Sequence, residues 1–183
     1  MSTLVTSTAQ IGTIKDAAGN NNAMTIDTSG RVNIPKVPAF QARGYGTFSS
    51  SVSPSVNGVT LGSSYDVIYD YTSVDVNRDS AFNNSTGIYT VPVAGLYHIQ
   101  AGVGYKSSSN YLALLLFATS SDHAEQGYLK TWANNDNYHT GRHMGGIVEA
   151  SVGQEFALAM SDSYSNPSNS QISYLWFSAY MLG

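Results

Sequence analysis

The chain has 183 residues, a formal charge of −4, no cysteine and only 11% charged residues. Disulfides and thiolate metal sites are thereby excluded. The 8 Lys and Arg are scattered, not clustered as a phosphate backbone requires, so nucleic-acid binding is not expected. The length predicts one compact domain with an appendage. No stretch approaches the roughly 20 apolar residues of a membrane helix. MSTLVTSTAQIG has no basic region and no long apolar run, so no secretory signal is expected.

Tyrosine is abundant, Ser, Thr, Gly, Asn and Val dominate the rest, and no apolar run has helical spacing. Such a chain is all-β. Residues 1–37 form a segment of their own. QIGTIK (10–15) and AMTIDT (23–28) read as short strands around the turn cluster DAAGNNN, and TSG turns into RVNIP. Ile11, Ile14, Met24, Ile26, Val32 and Ile34 are too few to enclose a core in one chain. Such a segment is either a mobile tail or ordered against a partner; the strand spacing favours the second, which makes these residues candidate attachment residues. Pro35 and Pro38 bracket a boundary.

From residue 38 strands follow at short intervals. PAFQARGYG places Ala39, Gln41 and Arg43 on one face and Phe40 and Ala42 on the other. VTLG is short. DVIYDYTSVDVN alternates as one strand, with Val67, Tyr69 and Tyr71 on one side and Ile68, Asp70 and Thr72 on the other. GIYTVP and GLYHIQAGVGY flank a turn around Pro92 and Gly95. NYLALLLFAT is apolar enough for burial on both sides. GYLKTWA, MGGIVEAS, EFALAMS and SYLWFSAYML complete a set of about ten strands, which predicts a sandwich or jelly roll over 38–183.

PAFQARG (38–44), TGIYTVPVAGLYHI (86–99) and SYLWFSAYML (173–182) resemble the C1q/tumour-necrosis-factor-like domain. The likeness rests on Phe40, then on Thr86, Gly87, Tyr89, Pro92, Gly95 and Tyr97 at fixed spacing, and it covers 38–183. Ile99 stands where that family often has Phe, and Ala179 where its last strand often has Gly. The resemblance implies a ten-strand jelly roll that associates as a homotrimer. Read from the residues alone, this motif is architecture: glycines for turns, Pro92 to stop ladder pairing, and tyrosines offering buried area with a polar tip.

AMTIDTSGRVNIP (23–35) resembles short β-turn stretches near the start of tailed-bacteriophage fibres and other virion proteins. Joined to a C1q-like head, it implies a phage appendage: residues 1–37 attach to other virion proteins and a trimeric head points outward. The chain carries no Gly-x-y repeat of a collagen stalk.

Nothing in the pattern selects catalysis or a cofactor. His139 and His143 of HTGRH would chelate zinc only on a helix. On a strand, residues four apart lie roughly 13 Å from one another. His98 falls in a core strand. Asp122, Glu125, Asp136 and Asp162 are acidic loop residues without the spacing of a calcium loop. The serines lack the strand-turn-helix setting of a nucleophile.

Two polar, aromatic loops have the composition of binding surfaces. TWANNDNYHTG (131–141) offers Trp132, Asn134, Asp136, Tyr138 and His139 for receptor or glycan contact. SDSYSNPSNSQ (161–171) offers Tyr164 and Asn166. The function expected is a trimeric tail or baseplate fibre or spike that contacts the host surface. The alternatives are a capsid decoration or head-fibre protein and a free lectin-like module.

Overall fold

A computed structural model of the chain describes residues 13–15, 22–34, 37–44, 47–48, 55–56, 59–60, 66–105, 111–117, 129–134, 140–162 and 172–182. The chain divides into two compact units, Met1–Val37 and Pro38–Gly183.

In the first unit β1 (Thr13–Lys15), β2 (Asn22–Ile26) and β3 (Val32–Asn33) form a three-stranded antiparallel sheet. The turn from β2 to β3 is held by Asp27. Its Oδ1 accepts the backbone N–H of Ser29 at 2.8 Å and of Arg31 at 3.0 Å, and its Oδ2 accepts Arg31 Nε at 2.7 Å. Gly30 sits at φ +80°, the left-handed conformation this turn needs. The backbone donor of Arg31, then its guanidinium, hold the Asp27 carboxyl below the usual carboxylate range.

The second unit begins with β4 (Ala39–Gly44), β5 (Thr47–Phe48), β6 (Ser55–Val56), β7 (Val59–Thr60), β8 (Asp66–Tyr69) and β9 (Ser73–Asn77). It continues through β10 (Phe82–Asn83), β11 (Ile88–Thr90), β12 (Gly95–Tyr105), β13 (Tyr111–Phe117) and β14 (Leu129–Asn134). Then come β15 (Thr140–Ala150), β16 (Glu155–Asp162) and β17 (Ile172–Met181). One sheet has five strands in the order β15-β12-β17-β4-β9. The other follows β10-β11-β16-β13-β14, with β8 also on β16 and β5 on β8. All these pairings are antiparallel. Two sheets packed through one core make a β-sandwich of jelly-roll type.

An aromatic cluster fills the space between the sheets. Phe40 stacks on Phe82 and Tyr89 at ring-centroid distances of 4.7 and 4.5 Å and meets Phe177 edge-on at 4.8 Å. The alternation expected for β4 holds: Phe40 and Ala42 are buried, and Gln41 and Arg43 are exposed. Tyr97 is buried, and its hydroxyl donates to Val93 O at 2.6 Å, tying the Pro92 turn to β12. Tyr89 is equally buried, and its ring meets that of Tyr97 edge-on at 6.3 Å. Burial pushes the Tyr89 phenol well up, and that of Tyr71 likewise. Gly87, at φ +70°, packs so closely on β8 that a Cβ there would lie 2.0 Å from Ile68 O. Gly95 opens β12 at φ 159°, close to extended, and does not demand glycine in the way Gly87 does.

The single alternating strand expected over DVIYDYTSVDVN is in fact two strands in different sheets. The chain turns at Asp70, which adopts φ +52°, so β8 pairs with β16 while β9 pairs with β4. Val67 and Ile68 are consecutive and both buried, which one uniform strand on a solvated sheet would not allow. Asn84 holds the corner. Its Oδ1 accepts Tyr71 N–H at 2.9 Å and its Nδ2 donates to Tyr71 O at 3.1 Å. Asn77 does the same for Phe82, at 2.9 and 2.8 Å. These side-chain amides stand in for strand pairing where the ladder is interrupted.

Candidate assembly faces

The outward face of the five-stranded sheet is built by residues two apart on β12, β15, β17 and β4. The registers align them in rows. His143, Gly102, Trp176 and Arg43 form one row; Gly145, Gln100, Ser178 and Gln41 the next; Ile147, His98, Tyr180 and Ala39 the third. Leu96 and Glu149 continue beyond His98 and Ile147.

A solvated face would be polar at these positions. Instead Ile147 is 62% exposed, Tyr174 48%, Leu96 45% and Tyr180 43%. Tyr174 and Trp176 stack in parallel, 5.6 Å between ring centroids. The Trp176 indole lies over Gly102, where an added Cβ would fall 2.1 Å from the ring. Gly102 is thus the seat that lets the indole lie across β12. His98 rests against Tyr180, ring centroids 5.2 Å apart, and its Nδ1 is buried without a hydrogen-bond partner among the described residues. At the margin Arg43 Nε and Ser73 Oγ both donate to the Asp75 carboxylate, Ser73 at 2.5 Å. Ser73 and then Arg43 hold that carboxyl below its usual range. The pair is exposed and contributes little to stability.

A second apolar face belongs to the first unit. Ile14 lies opposite Met24, and Ile26 opposite Val32, so these four share one side of the small sheet. Ile14, Ile26, Val32 and Ile34 are exposed and Met24 is half-buried. Ile11 lies outside the described residues.

The loop residues proposed for receptor contact are placed only in part. Trp132 and Asn134 fall on β14, opposite Ala113 and Tyr111. Asp136, Tyr138, His139, Tyr164 and Asn166 lie outside the described residues, as do Asp122 and Glu125. His143 is exposed on β15, and Asp162 ends β16. Among the described residues no three His, Asp or Glu side chains gather to hold a metal ion.

The outward face was not singled out by sequence. The signal lay in SYLWFSAYML, where Tyr174, Trp176 and Tyr180 alternate with Leu175, Phe177 and Ala179. Large apolar groups on both parities of one strand mark a sheet with two faces to cover.

No family model matches the sequence, and no curated protein matches it. The fold does have solved counterparts. The globular domain of zebrafish complement 1qA protein is similar with a TM-score of 0.54 and 15% identity, over 80% of this chain and 98% of that one. Murine APRIL is similar with a TM-score of 0.50 and 9% identity, over 76% of this chain and 98% of that one. The chain therefore carries a jelly roll of the C1q/tumour-necrosis-factor type.

Proposed function

We propose that the protein is a homotrimeric structural protein of a bacteriophage virion, a tail or baseplate fibre or spike whose head contacts the host surface. The observation that carries assembly is the outward face of the five-stranded sheet. Ile147, Tyr174, Leu96 and Tyr180 are too exposed for a face that stays in water, and a neighbouring copy is the partner that the C1q-like fold suggests. The virion role is supported by the stretch around Asp27–Arg31 and by the separate apolar face of Ile14, Met24, Ile26 and Val32, which offers an attachment surface. Neither face carries catalytic chemistry. Function then follows from multivalency: weak contacts repeated around a three-fold axis give avidity without any strong single site. Host contact falls to Trp132 and Asn134 at the end of β14 and to the polar sequence stretches that hold Asp136, Tyr138, His139, Tyr164 and Asn166.

Sedimentation of the purified chain at micromolar concentration should give a trimer. Ile147→Asp should give a folded monomer, because it sets a charge into the contact while leaving the core untouched. A monomeric wild-type protein would overturn assembly. For the virion role, deleting residues 1–37 should abolish incorporation into particles while leaving the trimer intact. Labelled protein found on the capsid shell would replace the tail assignment with capsid decoration.

A further inference from the structure

His98 is the feature of the assembly face that simple burial does not account for. It lies in the middle of that face, on β12, between Ile147 of β15 and Tyr180 of β17. On its own strand its neighbours on this face are Leu96 and Gln100. The titratable or charged groups facing it are Tyr180, against its ring, and Glu149, one row further along β15. No cation or second histidine shares its row, since His143 lies two rows away, opposite Gly102.

The Nδ1 atom of His98 is already buried in the isolated chain and has no hydrogen-bond partner among the described residues. A neutral imidazole tolerates this, because only one of its nitrogens carries a hydrogen. The imidazolium carries a hydrogen on both, so its Nδ1–H would be left without an acceptor. That restriction is common to free and assembled chains; what a neighbouring copy adds is the removal of water from the rest of the ring, and this difference between the two states sets the linkage. A charged group buried without a partner is strongly disfavoured. Histidine is the side chain whose ordinary titration falls between about pH 5 and 8.

We infer that His98 makes the association of copies acid-labile: the covered face accepts only neutral His98, and protonation of His98 releases the copies. This rests on the assembly proposed above. The sign follows from linkage. The free chains bind protons that the assembled form excludes, so acid favours dissociation. With three copies each taking up one proton, the dissociation constant of the trimer should rise by up to about a thousand-fold per pH unit in the acid limb.

The test is sedimentation equilibrium of the full chain from about pH 8 down to about pH 5.5, with far-UV circular dichroism followed in parallel. The expected result is a trimer at the upper end that dissociates into folded chains at the lower end. His98→Phe keeps an aromatic ring against Tyr180 and removes the titration, and His98→Gln provides a second non-titrating side chain. Either variant should stay trimeric throughout, while His143→Gln should dissociate as wild type does. Acid dissociation that persists in both His98 variants would overturn the inference, and so would a wild-type trimer indifferent to pH. A wild-type chain monomeric at pH 8 would remove the assembly itself, which is a different failure from a trimer that ignores acid.

Discussion

The two faces of the five-stranded sheet are made by alternate residues of the same strands, yet they differ in what they touch. Inward, Phe40, Tyr97, Ile99, Phe177 and Ala179 are essentially without solvent contact and meet the opposing sheet. Outward, Leu96, Ile147, Tyr174 and Tyr180 are of similar chemistry but stay between 43% and 62% exposed. The same residue types thus serve two purposes, one completed by folding and one left open. The difference teaches that apolar alternation reports burial only when a second layer is present to cover it.

Substitutions on the two sides should separate these purposes. The largest effect belongs inside. Phe40→Ala removes a ring stacked on Phe82 and Tyr89, and urea unfolding should show a loss of about 3–5 kcal/mol. A comparable loss of intrinsic stability from Ile147→Ala would erase the distinction between the faces. Gly87→Ala comes next. It combines a left-handed φ with a Cβ driven onto the Ile68 carbonyl, and should cost at least about 2 kcal/mol by the same measurement.

Gly102→Ala probes the outward side. Its Cβ meets the Trp176 ring, a side chain that can move, so a smaller cost of about 1–2 kcal/mol is expected. The displaced indole should show a changed fluorescence maximum, and trimer formation should weaken with it. Adding Trp176→Leu should recover the stability lost to Gly102→Ala; failure to recover it would mean that the indole is not what fills the space.

The smallest effect lies in the first unit. Asp27 is exposed, and its carboxyl is held below the ordinary value by Arg31. Its contribution to the turn is therefore present above the ordinary carboxylate range and is lost as pH falls through the depressed folded value. Amide resonances of Ser29 and Arg31, which donate to Asp27, should shift with a midpoint below that of an unstructured aspartate. A midpoint at the ordinary value would show that the turn does not hold in solution.

Much of the second unit was legible in the sequence because local chemistry and tertiary role coincide there. Phe40 and Ala42 alternate with Gln41 and Arg43 as a half-buried strand should, and Gly87 fills the position where only glycine fits. The corner at Asp70 was hidden for the opposite reason. No glycine or proline marks it, Asp tolerates the left-handed conformation, and the clamp that fixes it comes from Asn84, far along the chain. Of the candidate loop residues, Asn134 was expected in a loop and lies on β14, whereas Trp132 was read both in the strand GYLKTWA and at the start of the loop and lies on β14. The assembly face was not singled out because each outward residue looks ordinary alone. Only the registers of β15, β12, β17 and β4 bring Ile147, His98 and Tyr180 into one row.

Strand order has a further consequence for how the jelly roll is made. The strand between β4 and β12 is β17, the last of the described strands to leave the ribosome. Until it emerges, β4 and β12 each present an unpaired edge, and the indole and tyrosines of the outward face do not yet exist beside them. In the proposed trimer, a nascent chain cannot complete the contact surface before its own sheet can close. Recognition between copies would then wait for β17, which limits premature pairing of open edges between neighbouring nascent chains.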